Sequence, residues 1–171
     1  MSQLTPPLSA EDHVDGPERA EFELVMFGDF QCPYCAAAYP IVRRIRHQMA
    51  GRLLFGFRHF PLREIHADAE RAAEAAEAAA AQGAFWAMHD ALFDDQGRLE
   101  DPHLWARAEA LGLDLARFDA DRRSPEVLEL VRGSLRAGVR AGVATTPTLF
   151  VDGARHAGRP DDALWAQLLT T

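Results

Sequence analysis

Long apolar runs are missing from this chain of 171 residues, and no stretch approaches the roughly 20 residues that a bilayer-spanning helix requires. Basic charge is also scarce, because 18 lysines and arginines stand against 26 acidic residues, which leaves a net charge of −8. Binding to phosphate groups requires a basic surface, so this balance argues against nucleic acid as a partner. The sequence therefore predicts neither a membrane span nor a nucleic-acid-binding protein.

The N-terminal segment lacks the pattern of a secretory signal, in which a basic stretch precedes an apolar one. Residues 1–20 are polar and contain the turn formers Pro6, Pro7, Gly16 and Pro17. We expect these residues to form an N-terminal arm and the protein to be cytoplasmic. The remaining residues, 21–171, suit one domain with a sizeable core, since 48% of the chain is hydrophobic.

Cysteine is nearly absent, and the only two, Cys32 and Cys35, lie three positions apart. A zinc site would need further cysteines or a His-x₃₋₅-His pair, and none of the seven histidines has a partner at that spacing. As a structural staple the pair would be weak, because so short a loop removes only roughly 2 kcal/mol of entropy from the unfolded chain. A zinc site and an inert pair remain alternatives to a redox motif.

The position of the two cysteines favours the redox motif. They follow an apolar run, 22–27, and precede an amphipathic helical pattern, an arrangement typical of dithiol oxidoreductases. A thiol at the start of a helix has a lowered pKa, because the helix dipole and the unpaired N–H groups stabilise its thiolate. We expect Cys32 to be exposed and to attack a substrate disulfide, and Cys35, one turn later, to face inward and resolve the mixed disulfide.

The two intervening residues, Pro33 and Tyr34, are expected to modulate this centre. Proline suits the first position of a helix, where its missing N–H is not required. The reduction potentials of known dithiol proteins span about 150 mV, so residues that alter thiolate stability influence the direction of the reaction.

Hydrophobic patterning predicts a βαβ unit around this motif. Strands are expected at Phe22–Phe27 and Leu53–Phe60, with a helix over Cys35–Met49 that Pro40 should kink or break. A strand, a helix and a second strand in this order indicate a right-handed crossover between two parallel strands.

The stretch from about 62 to 142 is helical in character. A crossover needs only a dozen or so residues, so we interpret this stretch as a helical insertion. The predicted helices are His66–Ala81, Ala84–Phe93, Pro102–Leu111, Leu115–Ala120 and Pro125–Ala141.

The C-terminal part of the chain predicts a hairpin and one more helix. The hairpin strands are 148–151 and 154–157, joined by a turn at Asp152 and Gly153. A final helix is expected to begin at Pro160 and to run to Leu169, with proline and acidic residues in its first turn.

Other residues near the motif have ordinary interpretations. Asp29 is expected to be a turn residue at the end of a strand, although a carboxylate there could tune the pKa of Cys32. His59 and His66 are interpreted as packing or helix-start residues. Phe85 and its aromatic neighbours are interpreted as the core face of a helix.

Four segments of the chain resemble the thioredoxin superfamily, and more closely the DsbA-like oxidoreductases. These segments are 27–35, 58–62, 82–89 and 142–153. The resemblance implies an α/β, thioredoxin-like fold with an inserted all-helical subdomain, as in DsbA. It also implies that Pro147 is cis and lies against the disulfide, while Thr146 offers its backbone to an extended substrate segment, as in β-strand addition. Residues 1–20 resemble the segment that precedes such domains when they are fused to Na⁺/H⁺ antiporters.

We therefore expect a thiol–disulfide oxidoreductase that exchanges disulfides with protein substrates and with a redox partner, and that needs no metal or organic cofactor. One alternative is a glutathione-linked enzyme, glutaredoxin-like or kappa-class-like, for which Cys32 alone would suffice. A second alternative is a non-enzymatic module that senses redox state or binds zinc.

Overall fold

A five-stranded mixed sheet lies at the centre of the computed structural model, which describes residues 3–157 together with Pro160, Ala163, Leu164 and Leu168. Its strands are β1 (His13–Asp15), β2 (Phe22–Gly28), β3 (Leu53–His59), β4 (Thr148–Val151) and β5 (Ala154–Arg155). Their order in the sheet is β1-β3-β2-β4-β5, with β2 and β3 parallel and the other neighbours antiparallel. The predicted parallel pair is confirmed.

The crossover between β2 and β3 is the helix α1 (Pro33–Gln48). It begins two residues before the predicted start, because Pro33 occupies the first helical turn and Cys32 is the N-cap. The helix continues through Pro40, so the predicted break is wrong. Pro40 is exposed, and its missing N–H deprives the helix of a single backbone bond.

Five helices separate β3 from β4, and all of them lie within the stretch 62–142. They are α2 (Ala69–Ala80), α3 (Phe85–Asp94), α4 (Asp101–Ala110), α5 (Leu115–Arg122) and α6 (Pro125–Arg140). Alanine fills the buried face of α2, so neighbouring helices can approach it closely. The predicted fold class, a thioredoxin-like α/β fold with an inserted helical subdomain, is confirmed.

The hairpin at the far edge of the sheet has the expected turn. Asp152 and Gly153 both have positive φ angles, 47° and 77°, which a two-residue type I′ turn requires. The second strand, β5, ends at Arg155, two residues before its predicted end. Beyond it, Ala163, Leu164 and Leu168 are helical, and the two leucines are buried. The other residues of the predicted final helix, except Pro160, lie outside the described part of the chain.

The N-terminal arm packs along the sheet, where the sequence predicts no strand. Its β1 pairs with β3 and forms one edge of the sheet. Near the start of the chain, Gln3 forms an isolated bridge with Ala154, and the side chain of Leu4 is buried beside it. The arm therefore contacts both edges of the sheet.

Two glycines of α6 provide a matched test of how closely the insertion packs on the sheet. A Cβ at Gly138 would lie 2.5 Å from a ring carbon of Phe60, whereas a Cβ at Gly133 would meet nothing closer than 3.7 Å. Gly138→Ala should lower the free energy of unfolding by about 1 to 3 kcal/mol through overpacking. Gly133→Ala should raise it by up to about 1 kcal/mol, because alanine favours helix. Urea unfolding of both variants measures the difference, and equal stabilities would contradict the close packing.

Candidate active site

The two cysteines lie where β2 passes into α1. A turn at Asp29–Gln31 joins the two elements, and the Cys32 amide donates to the Asp29 carbonyl at 3.1 Å. Cys32 has an extended backbone and is the N-cap of α1, so the unpaired N–H groups of the first helical turn point toward its side chain. Both cysteines are free thiols.

Cys32 is buried, and the expectation that it is exposed is wrong. Only 2% of its surface is accessible. The loop before β4 covers it, and its thiol donates to the Thr146 carbonyl oxygen at 3.4 Å. The burial follows from this long-range packing, since a position at the start of a helix does not by itself exclude neighbouring loops. Little of Cys32 is therefore open to a substrate in this structure.

The two thiols have opposite acidities. A hydrogen bond from the Cys35 thiol, assisted by the backbone N–H groups of Tyr34 and Cys35, lowers the pKa of Cys32 to about 5 against the opposing effect of burial. Burial raises the pKa of Cys35 well above its ordinary value, and the adjacent Cys32 sulfur raises it further. Near neutral pH, the first cysteine is therefore a thiolate and the second a protonated thiol.

Asp29 is buried between the turn and the segment that follows β3. Its carboxylate accepts hydrogen bonds from the backbone N–H groups of Gln31 at 2.8 Å and Leu62 at 2.9 Å, and it contacts His66 Nδ1 at 2.7 Å. Its own N–H donates to the Cys35 sulfur at 3.5 Å. Asp29 is thus the turn residue that the sequence indicated. It also links His66 to the active site, because Asp29 contacts both His66 and Cys35.

The predicted substrate-binding pair lies at the entrance to β4. Thr146 is buried and its carbonyl contacts Cys32, while Pro147 is half-buried. The peptide bond between them is cis. Tyr34 is 63% exposed, so its ring lies on the surface next to the buried Cys32. The structure therefore brings together the segments 32–35 and 146–147, which are more than 100 residues apart in the chain.

One contact at this site has no signal in the sequence. Gln96, in the loop after α3, donates from Nε2 to the Cys32 carbonyl oxygen at 2.6 Å. Arg107 of α4 holds this loop by donating to the carbonyl oxygens of Asp95 and Arg98, each at 2.6 Å. Gln96 is a polar loop residue 64 positions from Cys32, so only the packing of the insertion reveals that the two residues are hydrogen-bonded.

The other candidates lie away from the cysteines. His59 contacts Glu77 of α2, and Phe85 is part of the core, as the sequence indicated. Among the described residues, one group of histidine, cysteine and acidic side chains has three ligand atoms within 4.8 Å of one another. It consists of His13, His59 and Glu77, so it does not include either cysteine.

The chain is similar to known proteins in sequence and in fold. The family described as Thioredoxin matches residues 8–170. The structure of a thioredoxin-like oxidoreductase from Silicibacter pomeroyi superposes with a TM-score of 0.83 at 25% identity, covering 95% of this chain and 92% of that one. The thiol-disulfide exchange protein alpha-DsbA2 from Wolbachia pipientis has a TM-score of 0.82 at 19% identity, over 94% and 87% of the two chains.

A curated relative is a much larger protein. The Na⁺/H⁺ antiporter NhaA 1 of Salinispora arenicola is 46% identical over 151 residues, which cover 86% of this chain and 22% of the antiporter. The chain thus spans about a quarter or less of that relative's length. None of the helices in the described ranges has the length and apolarity that crossing a membrane requires.

Proposed function

Because the chain belongs to the thioredoxin family and has the fold of the DsbA-like thiol–disulfide oxidoreductases, we propose that it exchanges disulfides with protein substrates through Cys32 and Cys35. The observation that carries this proposal is the place of Cys32 at the N-cap of α1, with Cys35 one turn later and the Thr146 carbonyl oxygen 3.4 Å from the Cys32 sulfur. The lowered pKa of Cys32 and the raised pKa of Cys35 agree with it. A thiolate is the species that attacks a disulfide. The neighbouring thiol, which is still protonated at that stage, attacks the resulting mixed disulfide in the second step.

The exchange needs no reactant beyond the substrate. The Cys32 thiolate attacks one sulfur of a substrate disulfide, forms a mixed disulfide and releases the other substrate sulfur as a thiolate. Cys35 then loses its proton, attacks the Cys32 sulfur and releases the second substrate sulfur. The substrate gains two electrons and the protein becomes the Cys32–Cys35 disulfide. The same steps in reverse oxidise a substrate dithiol.

Thr146 and Pro147 are proposed to position the substrate. The Thr146 carbonyl accepts a hydrogen bond from the Cys32 thiol at 3.4 Å, and this donor disappears when the thiolate forms. The carbonyl can then accept an N–H from an extended substrate segment, in the manner of β-strand addition. Exposed Tyr34 is proposed to contact the same segment beside the reacting sulfur.

The pH dependence of alkylation tests the assignment of the nucleophile. In the fully reduced protein, iodoacetamide should modify Cys32 alone. The rate of modification should rise with pH and reach half of its maximum near pH 5, whereas for a free cysteine the midpoint is about pH 8.5. Cys35→Ala should move the midpoint toward the ordinary value, because the variant lacks the thiol that stabilises the thiolate. Mass spectrometry of the modified chain gives the rates, and denatured samples of both proteins serve as the control. A midpoint near 8.5 in the native protein would contradict the proposal.

The same thiolate should make the stability of the reduced protein depend on pH. A thiol whose pKa is lowered by folding contributes stability that is complete above its unfolded pKa and is lost as pH falls through the folded value. With a folded pKa of about 5 for Cys32 and about 8.5 unfolded, the contribution at pH 7 is roughly 2 to 3 kcal/mol. Urea unfolding of the reduced protein at pH 5 and pH 7 should show this gain. Cys32→Ser, which retains every other titrating group, should lack it.

Location in the cytosol is also a proposal, and the reduction potential tests it. Disulfides in that compartment are usually transient and catalytic. A Cys32–Cys35 potential near the extracted cytosolic glutathione poise, roughly −220 to −260 mV, would support turnover there, and a potential near −120 mV would contradict it.

A further inference from the structure

Two histidines and a glutamate form a cluster between the N-terminal arm, the sheet and the insertion, and none of the three takes part in the proposed disulfide exchange. His13 of β1, His59 of β3 and Glu77 of α2 meet at one point, where both histidines direct Nε2 at the same carboxylate oxygen. The distances to Glu77 Oε1 are 2.7 Å from His13 and 2.8 Å from His59. We propose that these three side chains form a binding site for one divalent transition metal ion of the zinc class.

The donor set matches the chemistry of such an ion. Two imidazole nitrogens and one carboxylate oxygen are the protein ligands of many zinc sites that leave a fourth position open to water. With bonds of about 2.0 to 2.1 Å, tetrahedral ligand atoms lie roughly 3.3 Å apart. The three atoms here all lie within 4.8 Å of one another. The two nitrogens lie 2.7 and 2.8 Å from the carboxylate oxygen, so each would move about half an ångström away from it to reach the tetrahedral spacing.

Binding of the ion would replace the two hydrogen bonds to Glu77. A carboxylate can only accept, so each imidazole Nε2 carries the proton of its hydrogen bond to Glu77. A metal ligand must be deprotonated at the binding atom, so the ion would displace these protons. The Nδ1 of His59 is buried and has no hydrogen-bond partner among the described residues, and it would carry the proton of the metal-bound imidazole.

The surroundings provide an apolar wall and a route of entry. The ring of Phe85 stacks on His13 with 3.5 Å between ring centroids, and Phe57 lies edge-on to His59 at 5.6 Å. The side chains of His59 and Glu77 are only 2% and 8% exposed, whereas that of His13 is 23% exposed. Solvent thus reaches the cluster from the side of the arm, and the ion would tie the arm to the sheet and to the insertion.

The test uses a Cys32→Ser/Cys35→Ser double variant, so that the thiols cannot bind the ion. Zinc titration against a chromogenic chelator should give one tightly bound ion per chain. Adding His13→Ala or Glu77→Gln should weaken binding by at least about 100-fold, since loss of even an outer-shell partner of a metal ligand costs about 10- to 100-fold. The matched control is His103→Ala, which removes an exposed histidine that also lies near an acidic residue, Glu100, and should leave binding unchanged.

Cobalt provides a readout that does not depend on these variants folding. Co²⁺ added to the wild-type protein with its cysteines oxidised should give the visible absorption of a tetrahedral nitrogen and oxygen site, without a sulfur-to-metal charge-transfer band. Zinc should raise the thermal midpoint of the same sample, because an ion that binds only the folded state stabilises it. Absence of a stoichiometric ion in the double variant, or unchanged affinity after both His13→Ala and Glu77→Gln, would overturn the proposal.

Discussion

Cys32→Ser is expected to abolish disulfide exchange, whereas Cys35→Ser is expected to leave the protein covalently attached to its substrates. The serine at position 32 cannot form the thiolate that starts the reaction. The serine at position 35 cannot attack the mixed disulfide, so the first intermediate accumulates. Release of thiols from a disulfide-bonded substrate measures turnover, and electrophoresis without reductant reveals the trapped adducts.

The two roles cannot be exchanged in this structure. Cys35 is fully buried, and burial keeps it protonated at neutral pH. Cys32→Ser should therefore show neither turnover nor adducts, while circular dichroism confirms that it is folded. Wild-type activity in Cys32→Ser would contradict the mechanism. Sustained turnover with glutathione in Cys35→Ser would instead support a glutathione-linked enzyme, because that route needs only the first thiol.

Arg58→Ala is expected to lower the free energy of unfolding by about 3 to 5 kcal/mol. The guanidinium of Arg58 is 5% exposed and forms a bidentate pair with Asp12, at 2.7 and 2.9 Å. It also donates to the carbonyl oxygens of Pro6 and Pro7. The variant would leave a partly buried carboxylate and two carbonyl oxygens without their donor. For a chain of this length, at about 2 to 4 °C per kcal/mol, the thermal midpoint should fall by about 6 to 20 °C.

Arg52 provides the matched control for this prediction. It lies just before the same strand and forms a bidentate pair with Glu21, but both side chains are 52% exposed. Solvent and salt screen an exposed ion pair, so Arg52→Ala should leave the stability nearly unchanged. Urea unfolding compares the two variants. Limited proteolysis should also cleave the arm faster in Arg58→Ala, because Asp12, Pro6 and Pro7 all belong to it. Equal stabilities for the two variants would show that the Arg58 contacts do not hold the arm.

Much of the fold could be predicted because its signals are local. The strands β2 and β3, the five helices of the insertion and the turn at Asp152 each depend on patterns within a few residues. The predicted break in α1 is wrong because two opposing effects act at the same residue. Pro40 disfavours a helix interior, yet the packing of α1 on the sheet outweighs the loss of one backbone bond.

The short strand β1 could not be predicted for a different reason. It has only three residues, too few to show an alternating pattern, and it forms because β3 offers an unpaired edge. Its neighbours in the arm, such as Asp12, are held by Arg58, a residue 46 positions away. Such contacts leave no periodic trace in either segment.

In the active site, too, some features depend on local sequence patterns and others on contacts between distant segments. The sequence alone was sufficient to identify the Cys32–Cys35 pair and its place at a helix start, because both depend on a short contiguous motif. That Pro147 faces this pair was expected only from the resemblance to the DsbA-like oxidoreductases. The burial of Cys32, its contact with the Thr146 carbonyl and the Gln96 bond depend on segments 64 to 114 residues distant. The three side chains of the proposed metal site likewise come from separate elements, 18 and 64 residues apart, so no spacing rule detects them. Local patterns encode secondary structure and reactive motifs, whereas the environment that sets exposure, acidity and ligand geometry exists only after distant segments pack together.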